Sequence, residues 1–151
     1  MVNFCGPTPI TQTAFVGVEA ETQQDWQFPV KVSVHTQDIG GPSAGLAMTL
    51  GIIDKLNGGR LTGGRVVAAT GTIDQNGNVG DVGGVAEKTI AVERAGATVF
   101  FVPKVELNTA EAKASRRLHV YAVSNLDQVL RILQRLGGTV STNPVPAQAA
   151  S

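Results

Sequence analysis

The chain contains a single cysteine, Cys5, in 151 residues. An internal disulfide is therefore excluded, and no CxxC or Cys/His cluster with zinc-ligand spacing occurs. Cys5 reads as an incidental thiol. Glu19, Glu21, Asp25 and Asp54 form no pair at metal-ligand spacing, so neither a metal nor a cofactor is expected. No apolar run approaches the roughly 20 residues that span a bilayer, and the N-terminus lacks the basic region and long apolar stretch of a secretory leader. The chain reads as a soluble piece. Neither sign of charge is in excess, with 12 basic and 12 acidic residues, and no long run of either occurs. Nothing draws the chain to a phosphate backbone or an anionic membrane, and nucleic acid is not an expected partner. A GxxxxGK[ST] phosphate-binding loop is also missing, so the chain cannot itself couple ATP hydrolysis to unfolding.

The apolar share of 42% at this length suits one domain with a real core. Residues 1–12, with Pro7 and Pro9, read as a linker. A domain is expected over 13–138, and the Ser-, Thr-, Pro- and Ala-rich residues 139–151 read as a disordered tail. Thr13–Ala20 and Phe28–His35 read as a pair of strands, the second with apolar residues at alternate positions. After Gly40-Gly41-Pro42, the spacing of Leu46, Leu50, Ile53 and Leu56 predicts a helix from Ser43 to the Asn57-Gly58-Gly59 stop. Arg65–Ala69 reads as a strand. Thr72–Asp74 and Asn78–Gly80 flank Gln75-Asn76-Gly77, a hairpin signal.

A helix is expected over Val85–Ala95, with Val85, Ile90 and Val92 as an imperfect apolar face, ended by Gly96. The apolar run Thr98–Val102 suits a buried strand. A Glu- and Ala-rich helix is expected over Glu106–Arg116 and a strand over His119–Val123. A last helix, capped by Ser124 or Asn125, carries Leu126, Val129, Leu130, Leu133 and Leu136 as far as Gly137-Gly138. Two strands followed by interleaved helices and strands indicate an α+β, or mixed α/β, fold.

A serine hydroxyl is a poor nucleophile near neutral pH and needs a base in reach and donors for the developing oxyanion. In Gly41-Pro42-Ser43-Ala44-Gly45, small neighbours leave the Ser43 hydroxyl approachable, and a helix start presents free N–H groups. The plainer alternative is a capping serine. In Gly83-Gly84-Val85-Ala86-Glu87-Lys88, a lysine enters early in a helix. That end is the less favourable one for a cation, so a lysine there needs either solvent or a purpose. The plainer alternative here is a solvated surface lysine.

Taken together, the two segments resemble the Lon protease family, peptidase S16. The serine motif stands as Gly41-Pro42-Ser43-Ala44-Gly45. The lysine segment runs from Thr70-Gly71-Thr72-Ile73-Asp74 through Asn78-Val79-Gly80-Asp81-Val82-Gly83-Gly84 to Lys88, with Ala95-Gly96-Ala97 and Val102-Pro103-Lys104 following. The likeness extends from about Phe15 to Gly137. It implies the Lon proteolytic-domain fold and a serine endopeptidase with Ser43 as nucleophile, Lys88 as base and Thr70 as a supporting hydrogen-bond partner. Gly41, Pro42 and Ala44 would form the oxyanion loop. It also implies polypeptide substrates and a homo-oligomeric ring such as a hexamer.

Asp38-Ile39-Gly40, Asp54-Lys55-Leu56 and Leu61-Thr62-Gly63-Gly64-Arg65 resemble the bacterial branch in which a membrane anchor and a PDZ domain precede the protease domain. The parent is then expected to hold this domain outside the cytoplasmic membrane, with membrane contact only through an anchor absent from this chain. Many ATP-dependent members carry an acidic residue three places before the serine and another at the position of Thr72. This chain has Gly40 and Thr72 there, so no role can be assigned to those acids.

Two rival readings remain. GxSxG also marks the nucleophile elbow of α/β-hydrolases, with Asp74 or Asp81 and then His119 completing a triad; the short chain argues against that larger sheet. A dormant Lon-like domain serving assembly or substrate binding is the non-enzymatic alternative. His35, at a strand end, reads as structural, and Trp26 and Phe28 read as packing residues that could instead edge a substrate groove. The sheet edge near Val34–Gln37 is one that an extended substrate could join.

Overall fold

The computed structural model describes residues 41–140. The expected strands Thr13–Ala20 and Phe28–His35, together with His35, Trp26, the 1–12 linker and residues 141–151, lie outside the described residues.

The chain enters through a 3-10 turn, Pro42–Ala44, and continues as helix α1, Gly45–Leu56. The regular helix therefore begins two residues later than the apolar spacing predicts. Pro42 sets the turn's first φ and has no N–H to leave unpaired. Leu46 and Leu50 are buried, whereas Leu56 at the helix end is exposed. Strand β1, Val67–Ala69, follows and is shorter than the expected 65–69. Strands β2, Thr72–Ile73, and β3, Val79–Gly80, pair antiparallel. Their loop is organised by Asp74, whose carboxylate accepts from the N–H groups of Asn76 and Asn78 and from Asn78 Nδ2, each at 2.8 Å.

Helix α2 covers Val85–Arg94. Its inward positions are Val85 and Thr89, while Ile90 is exposed, contrary to the apolar face read from the sequence. A threonine can take the buried position because its hydroxyl donates to the Val85 carbonyl at 2.7 Å, which satisfies the polar group inside the helix. Strand β4, Val99–Pro103, is buried at every position.

A 3-10 turn, Lys104–Glu106, and a short helix α3, Leu107–Glu111, replace the expected Glu106–Arg116 helix. The helix stops at Glu111, and the Ser115 N–H and hydroxyl turn to the Glu93 carboxylate. Tertiary contact thus overrides the helix propensity of the Glu- and Ala-rich stretch. Strand β5, His119–Val123, matches expectation. Helix α4, Leu126–Arg135, is capped by Asn125, whose side chain accepts from the Gln128 N–H at 3.0 Å.

Strands β1, β4 and β5 form a parallel sheet in the order β1-β4-β5, with Val67 level with Val99 and Val99 level with His119. Alternate residues of β4 feed two cores. Val99 and Phe101 pack with Leu46 and Leu50 of α1 and Val129, Ile132 and Leu133 of α4. Phe100 and Val102 pack with Val85 of α2 and Ala110 of α3. Helices thus cover both faces, which is why β4 reads as an unbroken apolar run. Burying a phenylalanine fully is worth about 1.5–3 kcal/mol, and both β4 phenylalanines are 0% exposed. With the antiparallel hairpin beside the parallel sheet, the architecture is the mixed α+β type expected.

Packing reaches beyond α4. Thr139 N–H donates to Arg60 O at 2.9 Å, and Val140 lies against the α1/α4 core.

Candidate active site

Thr70 and Gly71 immediately follow β1, and strand register fixes their position. The Thr70 N–H extends the β1–β4 pairing by donating to Phe101 O at 3.0 Å. Its side chain, only 4% exposed, donates through Oγ1 to the Ser43 carbonyl at 3.2 Å. The Gly71 N–H donates to the same carbonyl at 3.0 Å, and the Gly71 carbonyl accepts from Leu46 N–H at 3.1 Å. Three hydrogen bonds therefore lock the start of α1 to the end of β1. They place Ser43 at the carboxyl end of the parallel strands, the end at which open α/β sheets bind their ligands.

Glycines permit that contact. A Cβ on Gly45 would lie 3.3 Å from both Ile73 Cγ2 and Ile73 N, so the helix start sits directly on the β2 backbone. Gly71 has φ +149°, and a Cβ there would lie 2.7 Å from Val79 Cγ1. Gly41 adopts φ 92° and ψ 153°, a backbone conformation that an L side chain rarely takes. Gly41 and Pro42 are exposed, whereas Ser43 and Ala44 are half-buried.

The Ser43 hydroxyl does not cap α1: the residue before the helix is Ala44, and no side chain caps that end. Among the described residues Ser43 Oγ has no hydrogen-bond partner, so the hydroxyl carries no structural duty there. Lys88 is the fourth residue of α2, after Gly84 in a left-handed conformation with φ 70°. Its side chain is half-buried, and its Nζ donates to the Gly83 carbonyl at 2.9 Å. No hydrogen bond joins Lys88 to Ser43 among the described residues.

The structure therefore brings Ser43, Thr70 and the Gly41–Ala44 turn together and leaves the Lys88 amine on its own loop. Gly71 is absent from the residues singled out by sequence. Its signal was its place directly after Thr70, but its contribution is a backbone N–H and a carbonyl, which no side-chain motif announces.

The hydrolase-type triad does not assemble. His119 is exposed at the amino end of β5, level with Val67, whereas Ser43 is held at the opposite, carboxyl end of β1. The Asp74 carboxylate is engaged within the β2–β3 loop. Among the described residues no group of three or more His, Cys, Asp or Glu side chains could hold a metal, and no helix is long and apolar enough to cross a membrane.

Residues 11–135 match the family described as Lon protease (S16) C-terminal proteolytic domain. Similar proteins include the Lon protease of Chloroflexus aggregans, 31% identical over 140 residues, covering 91% of this chain and 16% of that protein. Lon protease 1 of Herpetosiphon aurantiacus is 30% identical over 136 residues, 88% of this chain and 16% of the relative. The Lon protease of Heliobacterium modesticaldum is 36% identical over 112 residues, 72% and 13% respectively. The chain thus spans under a fifth of the length of these relatives.

Proposed function

The chain belongs to the family of Lon protease (S16) C-terminal proteolytic domains, and from that premise we propose that it is a serine endopeptidase in which Ser43 is the nucleophile and Lys88 its general base. The observation that carries this reading is the doubly bonded Ser43 carbonyl: Thr70 Oγ1 and Gly71 N–H hold the main chain while, among the described residues, the hydroxyl has no partner. A nucleophile needs that combination of a fixed backbone and an uncommitted side chain.

In the proposed reaction the neutral Lys88 amine takes the Ser43 proton as Oγ attacks the scissile carbonyl. N–H groups of the Gly41–Ala44 turn face the developing oxyanion, with Gly41 and Pro42 shaping that turn. The Lys88 ammonium then protonates the departing amine, and water hydrolyses the acyl-serine. The isolated chain would cut exposed or already unfolded polypeptide segments without ATP. The likeness of Asp38-Ile39-Gly40 and Leu61–Arg65 to the anchored, PDZ-bearing bacterial branch supports a parent that holds this domain outside the cytoplasmic membrane. Homo-oligomerisation into a ring, expected from the same resemblance, is tested by sedimentation.

One observation favours a second reading, a dormant domain used for assembly or substrate binding: Lys88 Nζ is bonded to Gly83 O rather than to Ser43. Labelling with a serine-reactive fluorophosphonate, followed by mass spectrometry of the Ser43 peptide, separates the two. Modification of Ser43 that disappears in Lys88→Ala supports the dyad. Absence of labelling at every concentration and oligomeric state supports dormancy.

A further inference from the structure

A broad open groove of about 810 Å³ is lined by Lys104, Ala122, Ser124 and the α4 residues Gln128, Arg131, Ile132, Gln134 and Arg135. It opens at the same end of the sheet as the candidate site. Lys104 follows β4, Ser124 follows β5, and the Val79 N–H of the hairpin donates to Ser124 O at 2.9 Å. Gln128, Arg131, Ile132 and Arg135 stand at i, i+3, i+4 and i+7, one stripe of the helix.

Three cations line the groove, and among the described residues no acidic one does. Among the described residues none of the three forms an ion pair; Arg131 Nε makes a long bond of 3.3 Å to the Asp127 backbone carbonyl. Arg131 and Arg135, one turn apart, repel each other, and an anion between them relieves that repulsion. The negative end of the helix dipole accounts for basic residues in the last turn of α4. It does not account for Lys104, which arrives from a different element. The remaining lining offers hydroxyl and amide groups with a small apolar floor from Ala122 and Ile132. Among the described residues no aromatic side chain lines it for a base to stack on, and the chain has no net charge. Both features disfavour a nucleic acid.

We propose that this groove, on the sheet end that bears Ser43, binds acidic stretches of a polypeptide substrate, with Lys104, Arg131 and Arg135 pairing with its carboxylates. The proposal rests on the peptidase reading only in calling the ligand a substrate, because docking can be measured without cleavage.

The test uses the full chain carrying Ser43→Ala, so that nothing is cut, and fluorescence anisotropy of labelled unfolded peptides. One peptide is rich in Glu and Asp, one is its Gln and Asn counterpart, and a single-stranded oligonucleotide of similar length is the third probe. The acidic peptide is expected to bind best and to weaken as salt rises. Arg131→Glu combined with Arg135→Glu should weaken it by at least about tenfold, and Arg131→Gln with Arg135→Gln by less. Equal binding of the neutral peptide, preference for the oligonucleotide, or indifference to both variant pairs would overturn the proposal. Loss of peptide cleavage by the unmutated chain while docking persists would count against the Ser43 reading alone.

Discussion

Thr70 Oγ1 donates to the main-chain carbonyl of Ser43 at 3.2 Å, tying the residue after β1 to the turn that starts α1. The side chain is buried, so its hydroxyl is committed to this bond. Thr70→Val keeps the shape and removes the donor. A net loss of about 1 kcal/mol is expected, since the Ser43 carbonyl keeps Gly71 N–H as a partner. Urea unfolding measures that loss. Peptide cleavage should fall as the Ser43 turn loosens, and Thr70→Ser should restore both; a fully active and equally stable Thr70→Val protein would contradict the role.

Gly41 and Gly71 constrain the same turn in different ways. No described atom lies within 4 Å of a Cβ built on Gly41, but its φ of 92° with ψ 153° makes any Cβ unfavourable, so Gly41→Ala should cost about 1–3 kcal/mol. At Gly71 the added Cβ also meets Val79 at 2.7 Å. Gly71→Ala is therefore expected to destabilise more than Gly41→Ala and to displace the hairpin. Thermal melts of the two variants rank the effects, and the reverse order would show that the hairpin yields easily.

The Asp74 carboxyl is held below its ordinary range, chiefly by the Asn78 side-chain amide and then by backbone N–H groups of Asn78, Asn76 and Gly77. Because the folded chain holds that proton more weakly than the unfolded one, the unfolded state gains protons first as pH falls. The stabilisation from Asp74 is complete above the unfolded value of about 3.9 and is lost as pH drops through the lower folded value. Asp74→Asn should thus lower the urea midpoint at neutral pH and differ progressively less from the unmutated chain below about pH 4. A constant difference across that range would mean that the hairpin does not depend on the charge.

Much of this fold was legible in the residues. β4 announced itself by five successive apolar or small positions and is buried on both faces. The β5 segment read as a strand, and α4 was readable from helical spacing and the Asn125 cap. What could not be read was decided by tertiary contact. The stretch after Glu111 has helical composition but turns to meet Glu93 through Ser115. Thr89 displaces Ile90 from the inward face because a hydroxyl that bonds its own helix can be buried. At the candidate site Ser43 was marked by its glycine-flanked motif and Thr70 by the family resemblance, whereas the Gly71 and Gly83 contributions run through backbone atoms that composition does not reveal. The resting hydrogen bond of Lys88 to Gly83 O was equally hidden, because a motif fixes where a lysine starts and not where its amine ends.

The most direct test of the Ser43–Lys88 account is ATP-free digestion of casein by concentrated protein, run beside Ser43→Ala and Lys88→Ala with oligomeric state recorded for each. The account predicts cleavage by the unmutated chain and none by either variant. Cleavage that survives Lys88→Ala would contradict the assignment of Lys88 as the base, and cleavage that survives Ser43→Ala would contradict the nucleophile.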